Sequence, residues 1–198
     1  MSTARDLALV VLGRPLGRTV EQGDLSLALA GAETVDLLES GALTLDGERM
    51  VPGGRTATGD PLLDEAVAAL VRREPYETVG DWLWRRGAEL SAAYVEDLTR
   101  TGFFVRSRRL WLSVRGAGTV PADTPQRRRA EHRLATGEPV LAALTAALDA
   151  GDPPASTAEL GEAVTTVLAA VGNAVTELEA ARLRRDAEHA AFDNIWRA

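Results

Sequence analysis

Apolar side chains recur every three or four residues through the stretch from Leu25 to Glu39, and this spacing predicts a helix. The repeating positions are Leu25, Leu29, Ala32, Val35 and Leu38. Gly41 follows where a C-terminal glycine cap belongs, so the helix is expected to end just before it. Similar spacing and capping signals return along most of the chain, which predicts a mainly α fold: a helical bundle with two small β-hairpins.

The composition supports a globular protein. The chain has 198 residues, of which 45% are hydrophobic, so it can bury a core, and we expect residues 1–198 to form one domain. It contains no Cys, which excludes disulfides, thiolate metal sites and a cysteine nucleophile. It has no apolar run of about eighteen residues and no signal-peptide pattern, so a cytoplasmic protein is expected. All 22 basic residues are Arg, which is typical of GC-rich bacterial coding.

Capping residues predict further helices. Asp60 is a typical N-cap with Pro61 at the first helical position, and this helix is expected to run until Pro75. Thr78, or Asp81 nearby, is expected to cap the next helix. The remaining helices are predicted at 7–12, 90–101, about 125–135, 138–150 and 157–171, and from 173 to the end. The last two are expected either as separate helices or as one continuous helix.

Two hairpins are predicted from turn residues and β-rich segments. In the first, strands at 42–45 and 49–51 flank Asp46-Gly47, a dipeptide that suits a two-residue turn. In the second, strands at 103–106 and 109–114 are joined near Ser107-Arg108, and residues 115–125 are expected to form a loop. A helix followed by a basic hairpin also describes a winged-helix module, so that alternative is kept.

The charge is unevenly distributed. Residues 1–100 carry 10 Arg and 17 acidic residues, whereas residues 101–198 carry 12 of each, for a net charge of −7. Within the second half, residues 100–133 hold nine Arg against Asp123 and Glu131. Such a stretch attracts phosphate groups through its local field even on an acidic protein. The alternative is a solvated face whose arginines pair with acidic residues of the first half.

Catalytic motifs are absent from the sequence. The two histidines, His132 and His189, are far apart and are expected on the surface; there is no G-x-S-x-G, and without Lys there is no phosphate-binding P-loop. The acidic group Asp60, Asp64 and Glu65 is interpreted as a helix cap with favourable charges in the first turns. We therefore expect no enzyme activity, no metal and no cofactor.

The segment T-A-T-G-D-P-L-L-D-E-A at 56–66 closely resembles the P-T-G-D-x-L-L-D-E-A-L motif of the Golgi phosphoprotein 3 family. Segments at 27–45, 77–83 and 95–103 resemble further family motifs in the same order. The resemblance covers about residues 5–135 and is that of a compact bacterial member. It implies a mainly α fold and a non-enzymatic, peripheral membrane adaptor that binds phosphatidylinositol 4-phosphate.

The family's lipid pocket, as the resemblance implies it, uses one Trp and three Arg. Alignment places these near Glu21, Ala30, Ala88 and Ser91, none of which matches. A shift of a few residues would bring in Arg18, Arg85 or Arg86 instead. The candidate lipid-binding residues are therefore Arg18, Arg85, Arg86, Arg106, Arg108 and Arg109. The second hairpin also carries Leu110, Trp111 and Leu112, which are predicted to contact a membrane or a second copy of the chain.

Three functions follow as hypotheses. The first is a peripheral protein on the inner face of the cell membrane that binds anionic lipid headgroups and a protein partner still to be identified. The second is a soluble protein-interaction module that has lost lipid binding. The third, a winged-helix nucleic-acid binder, is disfavoured because the preceding helix carries Glu89, Glu96 and Asp97 against Arg100 alone.

The capping interpretation of Asp60 is testable. Asp60→Ala should lower the free energy of unfolding by about 1 kcal/mol through loss of the cap, and should leave ligand binding unchanged. Thermal or denaturant unfolding measures the first effect and vesicle co-sedimentation the second. Loss of binding with an unchanged melting temperature would contradict a structural role.

Overall fold

The computed structural model describes residues 2–14, 20–54, 57–106, 119–149 and 160–195. Within these ranges the chain forms eight helices and two antiparallel two-stranded sheets, so the predicted mainly α fold is confirmed. The elements are α1 (Thr3–Leu12), α2 (Gln22–Glu39), β1 (Leu43–Asp46), β2 (Arg49–Pro52), α3 (Pro61–Ala69), α4 (Val79–Arg86), α5 (Leu90–Arg100), β3 (Phe104–Arg106), β4 (Thr119–Pro121), α6 (Pro125–Ala135), α7 (Pro139–Leu148) and α8 (Glu162–Ile195).

Helix α2 lies at the centre of the molecule. Its residues from Leu25 to Val35 are all buried, and it packs against α1, α3, α4, α5, α7 and α8. A helix that is buried on every side is stable only when other elements surround it. Gly31 allows the closest of these contacts, because a Cβ built there would lie 2.3 Å from Cγ2 of Val171 on α8. The helix predicted over 25–39 therefore forms the centre of the hydrophobic core.

Several helix boundaries differ from those predicted. Helix α1 begins at Thr3, four residues before the predicted 7–12, with Ser2 as its N-cap. Helix α3 ends at Ala69, well before Pro75, because Leu70 turns to an extended conformation and places its side chain in the core. Helix α8 is one continuous helix from Glu162 to Ile195, which settles the open alternative in favour of continuity.

The first hairpin is confirmed with a small shift in its turn. Strand β1 extends through Asp46, which pairs with Arg49, so that Gly47 and Glu48 form the turn. Gly47 has φ +58°, a left-handed conformation that glycine adopts without strain.

In the second hairpin, the first strand pairs with a different strand from the one predicted. Strand β3 pairs with β4, with Phe104 opposite Pro121 and Arg106 opposite Thr119. The expected loop at 115–125 is therefore wrong over 119–121, and the strand predicted at 109–114 lies outside the described residues. A bond from the amide of Ala122 to the carbonyl of Phe103, 2.8 Å long, closes the hairpin onto the start of α6.

A buried ion pair joins three helices around α2. Glu33, which has no exposed surface, accepts hydrogen bonds from Nε and Nη2 of Arg86 at 2.8 and 3.0 Å. Arg86 also donates to the carbonyl of Leu62 on α3, and the Tyr94 hydroxyl on α5 donates to Glu33 at 3.2 Å. Burial raises the pKa of Glu33, and the guanidinium and hydroxyl donors offset only part of that effect.

A second ion-pair cluster holds α1 against α3 and α5. Arg5 donates from Nε to Asp60 at 3.0 Å and forms an ion pair through Nη1 with Asp97 at 2.9 Å. Asp60 is also the predicted N-cap of α3, since its other oxygen accepts from the amide of Leu62 at 3.0 Å. The capping role is confirmed, and the structure adds Arg5, so the cost of Asp60→Ala should exceed that of the cap alone.

The start of α1 is fixed by a carboxylate of the central helix. Asp36 on α2 accepts from the backbone amides of Thr3 and Ala4 at 2.7 and 3.0 Å. Burial raises the pKa of Asp36 to about 6, although these amide donors lower it. Because this pKa lies above that of the unfolded chain, the contribution of Asp36 to stability falls as pH rises from about 4 to about 6.

The buried pair gives a prediction with a control at Arg85, the residue next to Arg86 on α4. Glu33→Ala leaves the Arg86 guanidinium buried without its carboxylate, and should cost about 3–5 kcal/mol in urea unfolding. The neighbouring Arg85 is half exposed in its pair with Glu77, so Arg85→Met should cost less than about 1 kcal/mol.

The double variant Glu33→Leu/Arg86→Met tests whether the stability lost in Glu33→Ala comes from leaving Arg86 buried without a partner or from losing the attraction between the two charges. Removing both charges should recover most of the stability lost in Glu33→Ala, because an apolar pair of similar volume needs no desolvation of ions. Equal costs for Glu33→Ala and Arg85→Met would contradict the assignment of Glu33–Arg86 as the central pair.

Candidate lipid-binding surfaces

Arg86, one of the predicted lipid contacts, is committed to the protein interior. Its side chain is 14% exposed and its donors face Glu33 and the Leu62 carbonyl. Burial alone would lower the pKa of Arg86, but the hydrogen bonds and attraction of Glu33 outweigh it and raise the pKa. A phosphate group would have to compete with this buried carboxylate for the same donors.

Arg85 is more accessible than its neighbour. It is 45% exposed, and its Nε and Nη2 both lie 2.7 Å from the Glu77 carboxylate. The guanidinium also sits 5.2 Å from the centre of the Trp82 ring, a cation–π contact. The hydrogen bonds that Arg85 donates to the Glu77 carboxylate raise the pKa of Arg85. The predicted lipid-binding roles of Arg85 and Arg86 are not tested by this geometry and stay predictions.

Of the other sequence candidates, Arg106 alone is among the residues that the structure describes. Arg106 belongs to β3, opposite Thr119. Arg18, Arg108, Arg109, Leu110, Trp111 and Leu112 lie outside the described residues. Their predicted contacts with lipid, or with a second copy of the chain, stay predictions.

A groove lies between the start of α2, the start of α5 and α8, at two of the positions where the resemblance placed headgroup residues. It has a volume of about 540 Å³. Its described lining residues include Gln22, Ser26, Ala88, Ser91 and Leu178, and contain no arginine. Within this lining the amide of Ser91 donates to the Ser26 hydroxyl at 3.0 Å, and the two hydroxyl groups are hydrogen-bonded at 2.9 Å, so these two serines satisfy each other.

The other two aligned positions, Glu21 for the family's Trp and Ala30 for its third Arg, supply neither side chain to this groove. Ala30 is completely buried on α2, and Glu21 is an exposed acid at the N-cap of the same helix. Arg182 on α8, whose Nη2 would lie 3.0 Å from a Cβ on the lining residue Gly23, is paired with Asp24 through two contacts of 2.8 Å. Leu178 on α8 packs against Gly23 at the start of α2, where a Cβ on Gly23 would lie 2.8 Å from Cδ2 of Leu178. Helix α8 thus covers one side of the groove.

Sequence reasoning missed an exposed aromatic residue at this groove. Trp82 and Trp84 are two residues apart on α4 and therefore point to different sides; Trp82 is buried and Trp84 is 42% exposed. Trp84 lies between this groove and a second one beside the β1–β2 turn. The spacing within V-G-D-W-L-W-R-R is the signal that would have separated the two tryptophans.

The described part of the chain shows no cluster of three His, Asp or Glu side chains suited to a metal ion. No helix within it is long and apolar enough to cross a bilayer. The described residues define a mainly α protein organised around one buried central helix, with two short antiparallel sheets.

Comparison with known families agrees with this architecture. The sequence profile described as Golgi phosphoprotein 3 (GPP34) matches residues 4–196, nearly the whole chain. The protein belongs to the Golgi phosphoprotein 3 family. A comparison with curated protein sequences gives no match.

The groove predicts a loss of phosphoinositide selectivity. Since charge-assisted arginine donors are needed to offset the desolvation of a phosphate, we expect no preference for phosphatidylinositol 4-phosphate over phosphatidylglycerol in vesicles of matched charge. Co-sedimentation with the two kinds of vesicle, at low and at physiological ionic strength, measures this preference. A preference that survives physiological salt would show that another part of the protein supplies the headgroup site.

Proposed function

We propose that the protein is a non-enzymatic, peripheral adaptor that binds anionic membranes by generic charge rather than through a phosphoinositide pocket. Residues 1–198 would form one domain that works at the inner face of the cell membrane and recruits a protein partner. No cofactor is needed for this role. Family membership supports an adaptor, and the residues lining the groove argue against the usual headgroup site.

The observation that carries this proposal is the position of the basic stretch. Nine arginines and only two acids occupy residues 100–133, in a chain with a net charge of −7. This segment runs continuously from the end of α5 through β3 and β4 into α6. This basic stretch of the sequence would face an anionic bilayer, while the acidic remainder of the chain faces away.

The second hairpin is the proposed first contact. Arg106, Arg108 and Arg109 would lie near the headgroups, with Trp111 and its apolar neighbours at the interface. Each arginine close to an anionic surface contributes roughly 1 kcal/mol, so three together contribute about a hundred- to two-hundredfold in partitioning. This attraction weakens within a Debye length, about 8 Å at physiological salt.

Removing these charges tests the proposal. The triple variant Arg106→Gln/Arg108→Gln/Arg109→Gln should stay folded and lose co-sedimentation with phosphatidylglycerol vesicles by about a hundredfold. Trp111→Ala should weaken binding with a shallower dependence on salt, because its contribution is apolar.

A matched control removes three exposed arginines elsewhere, as Arg73→Gln/Arg184→Gln/Arg185→Gln, with the same change in net charge. It should bind nearly as the parent does. If the parent itself does not sediment with anionic vesicles, the proposed membrane role is wrong and the soluble interaction module takes its place. A dimer lost in the hairpin variant would instead assign the hairpin to self-association.

A further inference from the structure

Helix α6 presents a basic face that the function proposed above has not yet used. Ala130 is fully buried, and Arg127 donates to the carbonyl of Gly13 at 3.1 Å, so one side of α6 is packed on α1. Arg128, Arg129 and His132 are exposed on the other side. At 3.6 residues per turn these three positions fall within an arc of about 100° that contains no acidic residue.

The charges on this face are largely free to meet a ligand. Arg128 pairs with Asp123 at 2.7 Å, but both side chains are more than half exposed, so the pair is weak and exchanges readily. Arg129 has no carboxylate within 4.0 Å among the described residues. The salt bridge of Arg127 is made on the neighbouring side of the helix, with Glu131. The face therefore carries net positive charge.

A depression of about 540 Å³ lies along this face, between α6 and α1. Its described lining consists of Asp6, Pro125, Arg128, Arg129, His132 and Arg133. The one acid among them, Asp6, is fully buried and paired with Arg133 at 2.5 Å, so its charge is offset at the base of the depression. Exposed guanidinium groups around a shallow concavity suit a phosphate group.

We propose that this face, defined by Arg128, Arg129 and His132, is a second membrane contact that seats on the phosphates of anionic lipid headgroups. The inference rests on the proposed membrane function. It adds an orientation to that function, because only three residues separate β4 from α6, and the first of them, Ala122, is hydrogen-bonded to Phe103, the residue before β3. Hairpin and helix would therefore lie on the bilayer together.

A membrane fits this face better than a nucleic acid. A duplex-binding protein typically neutralises about six to ten phosphates with its cations, whereas this face offers two arginines and a histidine on an acidic protein. A bilayer instead requires only a few cations on one side, with the remaining negative charge turned away from the surface.

The test uses two exposed arginines that hold no buried partner. Arg128→Gln/Arg129→Gln should reduce partitioning onto phosphatidylglycerol-containing vesicles by about thirtyfold at low salt, because each arginine near an anionic surface contributes a factor of roughly five to six. Arg128→Lys/Arg129→Lys should retain most of the binding, since the charge is kept. The matched control, Arg184→Gln/Arg185→Gln, alters the net charge equally at the exposed end of α8, and should change binding less than threefold by the same reasoning.

A labelling measurement reports the contact directly. The chain has no Cys, so Ala135→Cys on α6 and Ala187→Cys on α8 each give a single site for an environment-sensitive fluorophore. Both alanines are exposed, so the substitutions should not disturb the fold. The label at 135 should shift its emission on adding anionic vesicles, and the label at 187 should not.

The outcomes separate this inference from the proposed function. If the parent binds anionic vesicles and Arg128→Gln/Arg129→Gln binds equally well, the α6 face is not a membrane contact while the membrane function stands. Equal losses in the α6 and α8 variants would also overturn it, because net charge alone would then explain binding. If the parent binds duplex DNA at the same salt but not vesicles, both proposals are wrong.

Discussion

The pair between Glu33 and Arg86 is the contact on which the arrangement of helices around α2 depends. A carboxylate with no exposed surface is costly unless donors surround it, and those donors must come from elements that pack on the same side of α2. Arg86 brings the end of α4 to this point, Tyr94 brings α5, and the Leu62 carbonyl links α3 through the same guanidinium. Shifting α4 by one residue would turn Arg86 away and present Arg85, which is already held by Glu77.

The arginines divide into two groups according to what their guanidinium groups meet. Arg5, Arg86 and Arg133 reach buried or nearly buried carboxylates on other helices and hold the fold together. Arginine suits this role, because its planar fork can satisfy two carboxylate oxygens, as Arg86 does for Glu33. Arg128 and Arg129 on α6 meet solvent or an exposed acid, which leaves their charge available to a ligand. Counting arginines along the chain therefore overstates the binding surface, and their partners decide which ones contribute.

Much of the local structure was predictable from the sequence, and particular residues show where prediction stopped. Asp60 and Pro61 predicted the start of α3, because a cap depends on neighbours two or three residues away. The early end of α3 was not predictable, since Leu70 leaves the helix to reach a core formed by distant segments. Likewise Thr119-Val120-Pro121 looked like part of a loop, and became a strand only by pairing with Phe104–Arg106. For the candidate site, the sequence located the basic stretch and the missing headgroup arginines, but not the exposure of Trp84 or the free face of α6.

The sequence by itself determined the helical class, the helix over 25–39, the resemblance to the Golgi phosphoprotein 3 family and the uneven charge. These properties depend on residue type, periodicity and short-range capping. Only the tertiary structure decided which charges are structural and which are free. That choice depends on contacts between residues far apart in the chain, such as Glu33 with Arg86, 53 positions on, or Asp6 with Arg133, 127 positions on. The energy of an ionic group is set by its burial and its partners, and both are fixed only when the helices have packed.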